Sequence, residues 1–255
     1  MLVNLKDKEG KLISDRGEII IEATRFYKEL YGRDPEEHTE EVWREERTVK
    51  VDDEFPKILG WEIENEIKNL KRGKAPGPDN IGNNIIKDFA VELMKPLEKL
   101  FNLMIEEEDT PKQWDLSEIM LIHKKGNRSE IENYRPISLT PSTSKLFMKI
   151  IKNRLYKQLD HNQPEEQAGF RKNYGTIDHI HTLNQIIEKT KEYKIKLHMI
   201  FVDFRKAFDS IKHVKIWNAL KNQGVGGKVI RILRRMYGKA KAYVKMDKKG
   251  TVFKV

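Results

Sequence analysis

The sequence predicts an α+β protein with more helix than strand. Apolar residues recur at helical spacing in several long stretches, as with Phe147, Ile150, Ile151 and Leu155. Short apolar runs bounded by charged or turn residues, such as residues 119–123, have the length of strands. At 255 residues the chain can bury a real core in one large domain or two small ones.

The elements follow in order. Asp15 and Glu18 have capping-box spacing, and Ile20, Ala23, Tyr27, Leu30 and Tyr31 then form one apolar helical face that Gly32 ends. Residues 33–56 are polar and irregular, with a Glu-rich run over 40–46, and read as a linker or an exposed charged helix. A second helix is expected over 62–70, with Ile63, Ile67 and Leu70 on one side. It runs into Lys71-Arg72-Gly73-Lys74-Ala75-Pro76-Gly77-Pro78-Asp79-Asn80, whose paired prolines and glycines exclude helix and strand and make a shaped loop. Helical patterns resume over 85–89 and 96–105. Residues 119–123 and 135–139 read as partner strands joined by the basic stretch Lys124-Lys125-Gly126-Asn127-Arg128. A long amphipathic helix through Phe147 and Leu155 follows, then another over 176–193 through Ile177, Ile180, Leu183 and Ile187. Residues 196–203 read as a strand. Beyond Ser210, Val214, Trp217 and Leu220 are helical, Gly224-Val225-Gly226-Gly227 is a break, and 229–236 is a further helix. Residues 242–246 and 251–255 read as a hairpin around Asp247-Lys248-Lys249-Gly250.

Composition narrows the function classes. The net charge of +9 is uneven: residues 1–70 sum to −7 and residues 71–255 to +16. A basic body behind an acidic leader favours a polyanionic partner such as nucleic acid, and a lysine-rich solvated surface is the alternative. With no cysteine, disulfides, thiolate zinc sites and cysteine nucleophiles are excluded. No run approaches the roughly 18 apolar residues of a membrane span. Met1 to Asp7 has no apolar signal region, which points to an intracellular protein without choosing between nucleus and cytoplasm. The histidines form no metal pattern: His179 and His181 are two apart and cannot share a helix face.

The chemistry concentrates in Phe201-Val202-Asp203-Phe204-Arg205-Lys206-Ala207-Phe208-Asp209-Ser210. An aspartate at the end of an apolar strand is costly unless it is paired, hydrogen-bonded or bound to a metal. Two-metal phosphoryl transfer uses such carboxylates to hold ions about 3.5–4 Å apart. Asp203 is therefore a candidate metal ligand, with pairing to Arg205 or Lys206, or capping of a turn, as the plainer readings. Asp209 or Ser210 suits the N-cap of a helix starting near Ile211.

Four blocks stand in one order: Gly73-Lys74-Ala75-Pro76-Gly77-Pro78-Asp79; Ile122-His123-Lys124-Lys125-Gly126 with Asn133-Tyr134-Arg135-Pro136-Ile137-Ser138-Leu139; Gln167-Ala168-Gly169-Phe170-Arg171; and Val202 to Asp209. Over residues 60–255 this resembles the reverse transcriptase domain of animal non-LTR retrotransposons. The resemblance implies a right-hand polymerase, with mostly helical fingers and part of an antiparallel palm sheet over 57–255, behind an acidic helical leader over 1–56. It implies that Asp203 is the catalytic metal-binding aspartate, with the carbonyl of Phe204 completing the shell of a Mg2+ ion. Phe208 matches the aromatic gate against a ribose 2′-OH, with Ala207 beside it at the nucleotide. Arg135 and Lys124 or Lys125 match contacts to the incoming triphosphate; the lysines also suit a solvated turn. Gln167, Gly169, Phe170 and Arg171 match a template-contacting segment, or a tight turn that needs Gly169. The implied partners are an RNA template, a DNA primer and deoxynucleoside triphosphates, with no membrane.

The family's site also needs an adjacent aspartate pair downstream of Asp203. The one Asp-Asp of the chain is Asp52-Asp53, far upstream. The expectation is a chain truncated before that pair and inactive as a polymerase on its own, or a non-catalytic RNA-binding remnant. A helical scaffold acting through the acidic leader is a third reading. An exposed apolar edge at the strand bearing Asp203 is expected as well.

Overall fold

Asp15 starts the first helix as its spacing predicts: its Oδ1 accepts from the amides of Gly17 and Glu18 at 2.8 and 3.0 Å. The computed structural model describes residues 3–32, 55–204, 207–209 and 211–255. The Glu-rich run over 40–46, Asp52-Asp53, Arg205, Lys206 and Ser210 lie outside the described residues.

Helix α1 (Arg16–Tyr31) lies on a sheet, and its residues Ile19, Ala23, Tyr27 and Leu30 are buried there with Ile119, Ala242, Val244 and Phe253. It is preceded by a short hairpin, β1 (Leu5–Lys6) and β2 (Leu12–Ile13). Asp7 and a left-handed Gly10 shape that turn, Asp7 accepting from the amides of Glu9 and Lys11. The leader helix thus shares a core with the sheet.

The helical layer begins with α2 (Gly60–Lys68), two residues earlier than its apolar periodicity suggests. Glu62 explains the shift: its carboxylate reaches back to accept from the Leu59 amide at 2.9 Å. Helices α3 (Asn83–Asp88) and α4 (Ala90–Glu107) follow, α4 running through Pro96 at the loss of one backbone hydrogen bond. Helix α5 (Ser142–His161) buries Leu146, Phe147, Ile150 and Ile151. These meet Ile63 and Ile67 of α2 and Leu97, Phe101 and Met104 of α4 in the larger core. Helix α6 spans Thr176–Glu192, as its pattern predicts, yet buries none of its residues. Helices α7 (His213–Asn222) and α8 (Gly227–Lys239) complete the layer. Arg231 of α8 clamps Glu108 at 2.7 Å, and Lys239 pairs with Asp109, tying α8 to the end of α4.

The main sheet has the order β4-β3-β5-β6. Strands β3 (Leu116–His123) and β4 (Tyr134–Leu139) are antiparallel, as the sequence predicts, with Ile122 opposite Arg135. Strands β5 (Lys241–Val244) and β6 (Phe253–Lys254) form the expected hairpin. The join between the two pairs is parallel, β3 to β5, with Ile119 opposite Val244. Helix and strand together make the α+β fold that the sequence predicts.

Two local expectations are corrected. Residues 196–203 form no strand: no strand lies beside them, and β propensity is realised only through cross-strand partners. Ile200 and Phe201 are 90% and 77% exposed. The next helix, α7, starts at His213 with Lys212 at its N-cap. An N-cap must directly precede the first helical residue, so Asp209 does not take that role.

Arg154 holds the start of the helical layer to α5. Its Nε and Nη2 donate to both oxygens of Glu62 at 2.7 and 2.6 Å, and it also donates to the carbonyls of Pro56 and Lys57. Burial pushes the Glu62 carboxyl up, but the Arg154 hydrogen bonds, the Leu59 amide and the guanidinium charge together hold it below the ordinary carboxylate value. Arg154→Ala strands that carboxylate and is expected to lower the unfolding free energy by about 3 kcal/mol, read from urea unfolding at neutral pH. A depressed carboxyl stabilises above its unfolded value and loses that contribution as pH falls through the folded one. The gap between wild type and variant therefore closes in acid.

Candidate nucleotide and nucleic-acid site

Lys124, Lys125 and Arg135 meet at the tip of the β3–β4 hairpin. The Lys124 amide donates to the Asn133 carbonyl at 2.9 Å, and Arg135 lies across from Ile122. Gly126 makes the turn in the left-handed region, with Asn133 packed where a Cβ would sit. Asn133 in turn donates to the carbonyl of Asn127 at 2.9 Å. The hairpin frame is thus built by asparagines and a glycine, which leaves the basic side chains to solvent. All three are exposed, and among the described residues none makes an ion pair or side-chain hydrogen bond. Three unneutralised cations on one rigid turn suit phosphate groups.

The Gln167 to Arg171 block behaves differently. Arg171 Nε donates to Asp160 Oδ1 at 2.8 Å, its other nitrogens donate to the carbonyls of Pro164 and Asp160, and the guanidinium lies 4.0 Å from the Tyr174 ring centre. Arg171 is therefore committed to fastening this loop to the end of α5. Gln167 donates to the Gly169 carbonyl at 3.0 Å. The left-handed residue of the turn is Phe170 (φ 62), not Gly169, so the tight-turn reading falls on the wrong residue. Phe170 is 94% exposed and meets Phe208 edge to face at 5.5 Å.

Ala207 and Phe208 sit in a short 3-10 turn over Ala207–Asp209. Phe208 lines a cavity of about 670 Å3 that also takes in Thr140, Ser144, Lys145, Trp114 and Tyr237. Thr140 and Arg135 are five residues apart along β4 and its end, about 17 Å at ~3.3 Å per residue. The structure therefore places the basic hairpin tip and the Phe208 cavity at opposite ends of β4. Burial draws the Lys145 ammonium below the usual lysine value, and the Asp79 charge partly opposes this.

Asp79 belongs to the loop with two prolines and two glycines, which has a structural task that the sequence reading left open. A Cβ on Gly77 would lie 2.5 Å from Pro141 N and Thr140 C, so only glycine lets this loop rest against the start of α5.

A profile of the family described as reverse transcriptase (RNA-dependent DNA polymerase) matches residues 122–254, from the hairpin tip to β6. The chain belongs to the reverse transcriptase family. Its relatives place it with the non-LTR retrotransposons. It is 36% identical over 155 residues to the probable RNA-directed DNA polymerase from transposon BS of Drosophila melanogaster, covering 60% of this chain and 17% of that protein. The RNA-directed DNA polymerase from mobile element jockey of the same fly is 34% identical over 158 residues, again 60% and 17%. The Transposon TX1 uncharacterized 149 kDa protein of Xenopus laevis is 23% identical over 248 residues, 94% of this chain and 19% of that protein. The chain thus spans less than a fifth of the length of these relatives.

In this reverse transcriptase chain Asp203 and Phe204 are exposed, on the unpaired stretch that follows α6. Reverse transcriptases generally work with Mg2+. Among the described residues no three His, Asp or Glu side chains stand together as metal ligands. Asp203 alone does not compose a Mg2+ site. No helix among the described residues is long and apolar enough to cross a membrane.

The seat of the proline–glycine loop is testable. Gly77→Ala forces the loop off Thr140 and Pro141 and is expected to cost about 1–3 kcal/mol in thermal or urea unfolding. Gly82→Ala, at a position with open space around it, is the control that stays near wild type.

Proposed function

We propose that this chain forms the fingers and the first part of the palm of a non-LTR retrotransposon RNA-directed DNA polymerase, and that by itself it binds nucleic acid without extending a primer. The unpaired Lys124, Lys125 and Arg135 at one hairpin tip, inside the matched region, carry the binding reading. Arg135 offers a planar fork and the lysines mobile point charges to the phosphates of a template–primer duplex or an incoming nucleotide. Phe208, standing proud of its turn beside Phe170, is suited to pack against a sugar. Asp203 would supply one of the carboxylates that hold Mg2+, whose role when bound is to neutralise charge on the transferring phosphate. One carboxylate cannot clamp two ions, and among the described residues no three His, Asp or Glu side chains gather as a metal site. The basic stretch from residue 71 onward, +16 overall, supports binding as the property of these 255 residues alone.

Fluorescence anisotropy with a labelled RNA–DNA template–primer, run from 50 to 200 mM salt, tests the binding. Affinity is expected to fall steeply, and replacing Lys124, Lys125 and Arg135 together by Ala should reduce the salt slope by roughly one per charge removed. Salt-independent binding, or an unchanged slope in the triple variant, would sink the assignment. Primer extension with Mg2+ tests the second half: no product is expected, and extension that Asp203→Ala abolishes would overturn it.

A further inference from the structure

The cavity of about 670 Å3 beside Phe208 holds a lysine that takes no part in the nucleic-acid reading. Lys145 stands on the first turn of α5, its amide donating to the Pro141 carbonyl at 3.2 Å, and its side chain forms part of the cavity wall. Much of the remaining wall is apolar, built by Trp114, Met148, Met236 and Ala240. Lys145 is half-buried and makes no ion pair among the described residues. Lys212 and His213 line the same cavity, and among the described residues no Asp or Glu side chain does. The positive end of the α5 dipole lies at this turn as well, which disfavours an ammonium there. Asp79, on the proline–glycine loop, supplies the opposing charge, but burial outweighs it. Lys145 therefore gives up its proton more readily than an exposed lysine does. A lysine in that condition is a nucleophile, because only the neutral amine carries the lone pair.

We propose that Lys145 is a covalent attachment site for apolar carbonyl compounds, aromatic aldehydes above all, which this cavity admits. The Nζ lone pair attacks the aldehyde carbon and forms the C–N bond. The carbonyl oxygen then departs with the two amine hydrogens as one water, leaving an imine, and neither partner is oxidised or reduced. Two walls are fixed to meet an aromatic ring. Trp114 Nε1 donates to Thr143 Oγ1 at 3.1 Å, and Tyr237 is held edge to face against His213 and Trp217 at 5.0 and 5.3 Å. The cavity volume lies within the range of small-molecule sites. Lys152, two turns further along α5, is exposed and lines no part of the cavity, which makes it the internal reference. Neither Asp203 nor the hairpin-tip cations take part, so the attachment is independent of the nucleic-acid reading.

Incubating the full 255-residue chain with 2-naphthaldehyde, trapping the imine with a borohydride and mapping the adduct by peptide mass spectrometry tests the site. The borohydride delivers hydride to the imine carbon and water returns a proton to the nitrogen, which makes the adduct permanent. At neutral pH Lys145 is expected to be modified at least fivefold faster than Lys152 of the same chain. That ratio should fall as the pH approaches about 10.4, where an ordinary lysine also loses its proton. Formaldehyde, too small to use the aromatic walls, should discriminate less between the two lysines. Trp114→Leu should slow the naphthaldehyde reaction at Lys145 at least threefold and leave Lys152 unchanged. Asp79→Asn removes the charge that helps hold the proton, so Lys145 should react faster at neutral pH. Equal modification of the two lysines at neutral pH, or an unmodified Lys145, would overturn the nucleophile. A preference for Lys145 that is as large with formaldehyde as with naphthaldehyde would overturn the cavity as its carbonyl site. If either variant melts below the wild type, the wild-type pH profile decides: a Lys145 to Lys152 ratio that does not fall toward alkaline pH refutes the proposal.

Discussion

The parallel pairing of β3 with β5 is the contact on which the rest of the structure depends. It brings residues 116–119 against 241–244 and sends the intervening chain over the helical layer and back. Ile119, Ala242 and Val244 are fully buried at this seam, and the Lys245 amide extends it by donating to the Ile119 carbonyl at 2.9 Å. The same seam buries a carboxylate. Glu118 lies opposite Tyr243, accepts from its hydroxyl at 2.9 Å and from Lys245 Nζ at 3.0 Å, and is thereby compensated. Burial, reinforced by the Glu118 hydrogen bond and charge, pushes the Tyr243 phenol up to about 12. A pairing that spans more than a hundred residues thus orders both cores, α1 against the sheet and α2, α4, α5 and α8 against one another.

That arrangement also sorts the chemistry. Strand β4 is held along β3, so its two ends are fixed in space: Arg135 at the hairpin tip, Thr140 at the start of α5. Cations that serve structure are neutralised. Arg154 is spent on Glu62, Arg171 on Asp160 and Arg231 on Glu108. Lys124, Lys125 and Arg135 at the hairpin tip, by contrast, make no ion pair among the described residues and stand free to meet phosphate. Electrostatic recognition in this chain is a matter of which charges the fold leaves unpaired, more than of how many there are.

The stretch before Asp203 shows the opposite outcome. Its apolar alternation is as strong as that of β3, yet Ile200, Phe201 and Val202 face solvent, and α6 before it buries nothing. A strand is stabilised by its neighbours and has little stability alone. The anticipated exposure of apolar surface is present here, as an unpaired segment and not as the edge of a sheet.

The sequence by itself determined what depends on near neighbours. The Asp15 cap, the bounds of α6, the β3–β4 and β5–β6 hairpins and the proline–glycine loop were all legible, because capping, helical periodicity and turn chemistry act within a few residues. The membership in the reverse transcriptase family was legible for the same reason, in four short blocks. Tertiary structure alone decided the parallel seam, the fate of residues 196–203, the commitment of Arg171 to Asp160 and the presence of Ser144 and Lys145 on a cavity wall. No local pattern encodes whether a strand finds a partner or a cation finds a carboxylate, since those partners are supplied by distant segments and only the folded chain brings them within reach.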